Sequence, residues 1–202
     1  MKKEWNKNNI IKVLLWTLAY AVLSILVMEL GSIHPVFFVL YPVVSAIVLP
    51  IPYLMAAKRV KAFGVPTVMT LVFALIVFAV GEMASYRWFV FIPMIILAEG
   101  ARALFSYDSK KGLGISAFIM SFSTFAWAFP IWFMHDFTIS EAVKEMPAGY
   151  AETLDAVSPM WTLPVVLIGA LLVGTACIWF YLKKFVKTDT PATTEDPTTK
   201  EA

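Results

Sequence analysis

The sequence is poor in the residues on which most soluble proteins depend. Charged residues make up 15% of its 202 positions, and it contains one cysteine and two histidines. The single Cys177 excludes a disulfide framework and a cysteine-based zinc site. No phosphate-binding loop, glycine-rich dinucleotide turn or HExxH pair occurs, so the common nucleotide-dependent and zinc-dependent enzyme motifs are excluded. The formal net charge of +2 is too small to indicate nucleic acid binding.

Apolar residues are what the sequence has in excess. They make up 60% of the chain, and the mean hydropathy is +0.78. An ordinary soluble domain carries about 45–50% apolar residues and about 25% charged ones. One small core cannot bury such an excess, so we expect a surface that faces lipid. The composition therefore predicts an integral membrane protein.

Windows of about twenty apolar residues predict an all-α bundle of six membrane spans. The spans cover approximately residues 10–30, 34–57, 65–84, 87–106, 112–134 and 160–183. Four prolines in the second span predict that it is kinked or broken, which a membrane tolerates where neighbouring protein buries the freed backbone groups. Ala19-Tyr20-Ala21 mimics a signal-peptide cleavage site, but the apolar run continues for a full span, so we expect a retained helix.

The distribution of Lys and Arg predicts the orientation of these spans. All but two of the 16 basic residues fall on one side, and only Arg87 and Lys144 fall on the other. Cytoplasmic loops collect Lys and Arg, so we expect both termini inside a bacterial cytoplasmic membrane. Residues 1–187 then form one transmembrane domain, and 188–202, rich in Thr, Pro and Glu, are expected to be a disordered cytoplasmic tail.

The connection 135–159 is the one long external segment. It has five carboxylates against the single Lys144, a net charge of −4 with histidine neutral. Thr138 and Glu141 have the spacing of a capping box and predict that a helix begins there. Pro147 ends that helix before a second short one. We expect the helical pair either to cap the bundle or to rest at the lipid headgroups.

Ionisable and aromatic residues gather at the outer ends of the predicted spans. Charged groups near the hydrocarbon boundary tend to face the bundle interior or a water-filled cavity. A small-molecule pocket is mostly apolar with a few convergent polar groups. We therefore expect a ligand pocket there, although an aromatic belt with snorkelling charges would give a similar pattern. The candidate substrate-binding residues are Glu29, His34, Glu82, Tyr86, Arg87, Trp88, Trp132, His135 and Asp136.

The histidines leave the ligand open. His135 can form a hydrogen bond to an organic ligand, or can ligate the iron of a haem-like ligand with His34 or Met134 as second ligand. With Asp136 the two histidines could hold a metal, but their unrelated positions are a weak signal, and we predict no resident metal or cofactor. The acidic external segment argues against a strongly anionic ligand.

Two further groups are expected to act at contacts between helices. Thr17, Ala21 and Ser24 put small side chains on one face of the first span, which permits close approach within the bundle or to another subunit. Glu99 and Arg102 are three residues apart on a helix and can pair at an inner helix end.

Several motifs, taken in chain order, carry a resemblance. They are the Pro-broken second span that ends in Lys58-Arg59-Val60-Lys61, then Ala98-Glu99 followed by Arg102 and Tyr107-Asp108-Ser109-Lys110-Lys111, and then Phe133-Met134-His135-Asp136 before a final span with Pro159-Met160-Trp161. In these features the chain, up to about Lys187, resembles the substrate-binding S components of energy-coupling factor transporters, in the group called Trep_Strep or MptD-like. The resemblance implies a six-helix protein that captures a micronutrient at its outer face. It also implies a membrane coupling subunit and two cytoplasmic ATPases as partners.

These observations predict a transport-associated binding subunit rather than an enzyme. Its expected partners are the coupling subunit, contacted through Thr17, Ala21 and Ser24, the two ATPases, a micronutrient and membrane lipids, and no nucleic acid. One alternative is an intramembrane hydrolase or lipid-modifying enzyme that uses Asp136 with His135 or Glu82, although a base with a nucleophile or metal cannot be assembled from the sequence. Another is a scaffold without a ligand.

Overall fold

The computed structural model describes residues 4–186, and every regular element in that range is helical. Turns of 3₁₀ helix occupy Ser85–Arg87 and Ser121–Thr124. The α-helices are α1 (Lys7–Ile33), α2 (Pro35–Val39), α3 (Tyr41–Val48), α4 (Pro50–Ala57), α5 (Val65–Ala79), α6 (Trp88–Leu104), α7 (Lys110–Met120), α8 (Phe125–Ala128), α9 (Pro130–Phe133), α10 (His135–Glu145), α11 (Tyr150–Val157) and α12 (Thr162–Phe185). The predicted all-α class is confirmed for this range, and the predicted tail at 188–202 lies outside it.

Two of these helices, α1 and α12, are long and apolar enough to cross a membrane as single helices. The 15-residue α5 is equally apolar but shorter. The other predicted spans are divided into consecutive short helices or, in α6, contain Pro93. The predicted count of six spans therefore stays a prediction.

The break predicted in the second span is present. α2, α3 and α4 each have a proline at the first or second helical position. Proline has no backbone N–H and favours the first turn of a helix, so each one ends the preceding helix and starts the next. Pro130 does the same at the start of α9.

The end of the bundle that is predicted to face the cytoplasm is held together by side chains of α6. The fully buried Arg102 donates through Nη2 to the carbonyls of Ala57 and Val60, at 3.2 and 2.6 Å. Glu99 accepts from the backbone N–H of Gly64 at 2.9 Å and so caps the start of α5. No ion pair joins Glu99 to Arg102 in the described part of the chain, so the predicted pair is wrong. Each side chain instead binds one end of the connection between α4 and α5.

The face of α1 formed by Thr17, Ala21 and Ser24 lies in the interior. Their exposed fractions are 0%, 1% and 0%, and Thr17 Oγ1 donates to the carbonyl of Val13 at 2.8 Å. Other faces of α1 carry exposed apolar side chains such as Leu18. The small residues therefore permit close packing within this chain, and in this conformation they are not available to a coupling subunit.

The external segment folds into α10 and α11, which pack on the ends of neighbouring helices. Ala142 of α10 and Leu154 of α11 are buried in one apolar cluster with residues of the earlier helices. The Tyr150 hydroxyl donates to the carbonyl of Gly31, at the end of α1, at 2.5 Å. The cap therefore rests on the bundle. The predicted capping box is wrong, because α10 begins at His135 and the Thr138 hydroxyl donates back to the Met134 carbonyl inside the helix.

Candidate functional site

The outer-end residues singled out in the sequence form two groups in the structure. Glu82, Tyr86, Arg87 and Trp88 lie at the connection between α5 and α6. Glu29, His34, Trp132, His135 and Asp136 lie at the ends of α1 and α9 and at the start of α10. The helical cap shares one apolar cluster with Trp132 of the second group.

Arg87 is the most unusual residue of the first group. It is 7% exposed, and its guanidinium carbon lies 4.3 Å from the centre of the Trp127 ring, a cation–π distance. The Tyr86 ring centre is 5.8 Å away. The one carboxylate bonded to Arg87 in the described chain is Glu82, at 3.5 Å, the outer limit of a hydrogen bond. Nε and Nη1 are buried with no partner.

Below Arg87, aromatic side chains from four helices form a cluster. Phe73 of α5 contacts Tyr20 of α1, Phe91 of α6 and Trp127 of α8, with ring centres 6.0, 6.0 and 5.9 Å apart. Such distances and tilted or edge-on geometries are those of stable aromatic pairs. Trp88 extends the cluster through an edge contact with Phe91. The guanidinium thus lies at one edge of an apolar, aromatic cluster.

A chain of rings connects the two groups. Tyr86 contacts Phe129, Phe129 contacts Phe125, and Phe125 stacks on Trp132 at 6.2 Å and an interplanar angle of 28°. Trp132 itself is 4% exposed, and its indole N–H donates to the Thr162 hydroxyl at 2.9 Å. Trp132 therefore joins α9 to the start of α12 and has no free donor for a ligand.

His135 is fully engaged with the protein. Nδ1 lies 2.8 Å from the carbonyl oxygen of Ile131, and Nε2 lies 2.8 Å from Oδ1 of Asp155 in α11. Both partners are acceptors, so the ring satisfies both contacts at once only in its protonated form. The Ile131 carbonyl, followed by the Asp155 carboxylate, raises the pKa of His135. Held in this way, the imidazole joins the two helices of the cap and offers no lone pair to iron.

The remaining residues of the second group face outward or cap helices. Glu29 and Asp136 are exposed. The Nδ1 of His34 accepts from the N–H of Val36 at 3.2 Å and caps α2. Within residues 4–186 no group of three or more His, Cys, Asp or Glu side chains could hold a metal ion. The His135 partner is Asp155 rather than Asp136, so the arrangement gives no support to the hydrolase alternative.

Two important residues were not singled out from the sequence. Trp127 lies inside the fifth predicted span, whereas the predicted site residues lie at the ends of spans. Asp155 is separated from His135 by twenty positions and lies on a different helix. An alternation of rings at Phe125, Trp127 and Phe129 was the available signal for Trp127, whereas no sequence pattern indicates Asp155.

A concave feature lies between α6 and the helices that follow it. An apolar groove of about 310 Å³ runs between α6 and the α7–α8 segment. Its walls include Pro93, Met94, Phe118 and Phe122, and no charged side chain lines it. Such a lining suits hydrocarbon rather than a polar micronutrient.

Comparison with known families identifies the family to which this chain belongs. The family model described as a hypothetical bacterial integral membrane protein, Trep_Strep, matches residues 7–187. The chain belongs to this family. Comparisons with curated proteins and with solved structures give no match. As a Trep_Strep member the chain is a bacterial integral membrane protein, which accounts for its apolar composition and its exposed apolar helix faces.

The motifs Lys58–Lys61 and Tyr107–Lys111 of the Trep_Strep chain meet in space. Lys61 of the first forms an ion pair with Asp108 of the second. Arg102 binds the carbonyl of Val60, and Lys58 donates to the Phe185 carbonyl at 3.1 Å. Residues near 60, 105 and 185 thus occupy the same end of the bundle, opposite to the cap.

Proposed function

We propose that this Trep_Strep protein is the substrate-binding subunit of an energy-coupling factor importer that captures a micronutrient at its outer face. The observation that carries the proposal is the Arg87 group, a buried guanidinium with unmatched donors at the outer end of an aromatic interior. Pockets that bind small molecules combine apolar walls with a few polar groups in this way. The described residues at this end offer donors and rings suited to binding.

The proposed topology has six passes with both termini in the cytoplasm. Contacts of Arg102, Lys61 and Lys58 support one common end, and contacts of Tyr150 and His135 support the other. The α1, α2–α4, α5, α6, α7–α9 and α12 segments each connect these ends. The basic residues collect at the first end, as expected for a cytoplasmic side.

The proposal also requires partners. The sequence has no nucleotide-binding motif, so the energy for import must come from other chains. We propose a membrane coupling subunit and two cytoplasmic ATPases in this role. The buried small-residue face of α1 is not a contact in this conformation, so the exposed face around Leu18 is the better candidate surface.

The test is purification of the tagged chain from its own bacterial membranes after mild cross-linking. We expect mass spectrometry to find a coupling subunit and two ATPase chains, together with a small molecule carried through purification. A matched preparation should use an unrelated six-helix protein with the same tag. The proposal is overturned if no ATPase chain is enriched over that preparation, or if the isolated protein turns over a lipid or peptide substrate.

A further inference from the structure

Arg87 has donors that nothing in the described chain satisfies. The guanidinium carries one N–H on Nε and two on Nη1, and both nitrogens are buried without a partner. Leaving a buried charged donor unpaired costs more than leaving a neutral donor unpaired. Glu82 offsets little of this cost, because its side chain is 59% exposed and lies 3.5 Å from Nη2. A buried charge held in this way needs a further acceptor.

The surroundings of Arg87 favour an anion. A 3₁₀ turn at Ser85–Arg87 leads directly into the 17-residue α6, so the positive end of the helix dipole lies at the same place. The residue that caps this turn, Ala84, has no polar side chain, and the first turn holds no acidic residue. Trp127 lies at 4.3 Å and Tyr86 at 5.8 Å, so ring faces border the guanidinium.

We propose that Arg87 recognises a carboxylate on the ligand, and that the rings of Trp127 and Tyr86 hold a planar apolar body beside it. The inference rests on the proposed function, whose site it specifies. It also reverses the expectation that the acidic external segment argues against a strongly anionic ligand. That segment packs mainly on α1, α2 and α9, whereas Arg87 lies at the connection between α5 and α6.

A second buried arginine gives an internal comparison. Arg102 also has Nε and Nη1 without partners, but its Nη2 binds two carbonyls at the inner end, the shorter contact at 2.6 Å. These carbonyls belong to Ala57, at the end of α4, and Val60, just beyond it, where a cation is favoured. Arg102 therefore has a structural role, whereas Arg87 has no backbone carbonyl partner among the described hydrogen bonds.

The experiment measures ligand-induced thermal stabilisation and binding of the purified full chain in nanodiscs. The probes are benzoate, its neutral isostere benzamide, and inorganic phosphate. Benzoate should bind, and benzamide and phosphate should bind at least about tenfold more weakly, because only benzoate combines a carboxylate with a ring. Arg87→Met should weaken benzoate binding by about tenfold or more. Lys144→Gln removes the same charge from the same side and should leave binding unchanged. Glu82→Gln removes a competing carboxylate and should tighten binding by up to about fivefold.

A purely structural role for Arg87 is distinguished by the stability of the ligand-free protein. Arg87→Met should leave the unfolding temperature unchanged or higher, since a buried unpaired charge is replaced by an apolar side chain, whereas Arg102→Met should lower it. The inference is overturned if Arg87→Met is as destabilising as Arg102→Met, if benzamide or phosphate binds as tightly as benzoate, or if benzoate does not bind. Any of these results alongside co-purified ATPases would leave the importer proposal standing. Benzoate binding without ATPase partners would overturn the importer proposal alone.

Discussion

Replacing Gly31 with alanine should destabilise the outer end of the bundle. Gly31 is buried in the last turn of α1, and a Cβ there would lie 2.0 Å from the Tyr41 phenol oxygen and 2.7 Å from its Cζ. Tyr41 cannot easily move, because it is 3% exposed and packs on Phe38 with ring centres 4.9 Å apart. Its hydroxyl also donates to the carbonyl of Met28.

The magnitude follows from these contacts. Forcing an extra methyl into a packed interior costs about 1–3 kcal/mol, and displacing the Tyr41 hydroxyl loses a hydrogen bond of about 1 kcal/mol. Alanine in a helix returns about 0.5–1 kcal/mol relative to glycine. The net loss is therefore about 1–3 kcal/mol, and the unfolding temperature of a chain of this size should fall by roughly 2–12 °C. Thermal unfolding followed by fluorescence size-exclusion chromatography measures it.

Two further variants test whether the clash with Tyr41 causes the loss of stability. Gly100→Ala in α6 has no atom within 4 Å of the new Cβ, so it should be neutral or stabilising by up to about 1 kcal/mol. Tyr41→Phe removes the nearest atom, so Gly31→Ala should cost less in that background than in the wild type. Equal stability of Gly31→Ala and wild type, or the same cost in both backgrounds, would refute the clash.

The remaining predictions concern topology, the α1 face and pH. A single cysteine at position 144 should react with an impermeant thiol reagent in intact cells and one at position 110 should not; labelling at 110 contradicts the six-pass topology. Ala21→Trp should abolish folding and ligand binding together, because Ala21 is 1% exposed. The control Leu18→Trp, at a position that is 55% exposed, should fold normally. A folded Ala21→Trp protein that loses only its ATPase partners would instead indicate that this face contacts another subunit. The ion pair between His135 and Asp155 should stabilise the cap. This stabilisation should be complete at pH values below the ordinary histidine pKa of about 6.5. It should be lost as the pH rises through the raised pKa of His135. The loss of stability should be within about 1 kcal/mol because the pair is partly exposed. The measurement is the unfolding of the wild type and of His135→Gln from about pH 6 to 9. An identical pH profile for the two proteins would contradict this prediction.

Helix positions could be predicted from the sequence because membrane-spanning helices need long apolar runs and because prolines favour helix starts. The predicted first span at 10–30 corresponds to α1, and the predicted last span at 160–183 corresponds to α12. Prolines placed the breaks of the second span correctly. The third span was predicted to 84, but α5 ends at Ala79, because Gly81 adopts a positive φ of 82° and starts the turn earlier.

Helix faces could not be predicted in the same way. In a soluble protein the buried face of a helix is its apolar stripe, but α1 is apolar on nearly every side. Leu18 and Leu26 face outward, whereas Thr17 and Ser24 face the interior. Small polar residues permit close helix contact either within a chain or between chains, so the pattern alone cannot tell the two apart. The interior position of these residues is set by which helices pack against α1.

Arg87 and Arg102 show that the sequence also does not predict the surroundings of side chains at the candidate site. Arg87 and Arg102 have similar sequence contexts, each at one end of the α6 segment and each with an aromatic residue and a glutamate within five positions. What separates them is the backbone that surrounds each guanidinium. The C-terminal end of α4 brings two carbonyls to Arg102, whereas a 3₁₀ turn and a tryptophan ring surround Arg87. A guanidinium beside carbonyls is already matched in charge and can hold a fold together. One beside ring faces and a helix N-terminus lacks such a partner, and this difference supports the proposal that Arg87 binds a ligand.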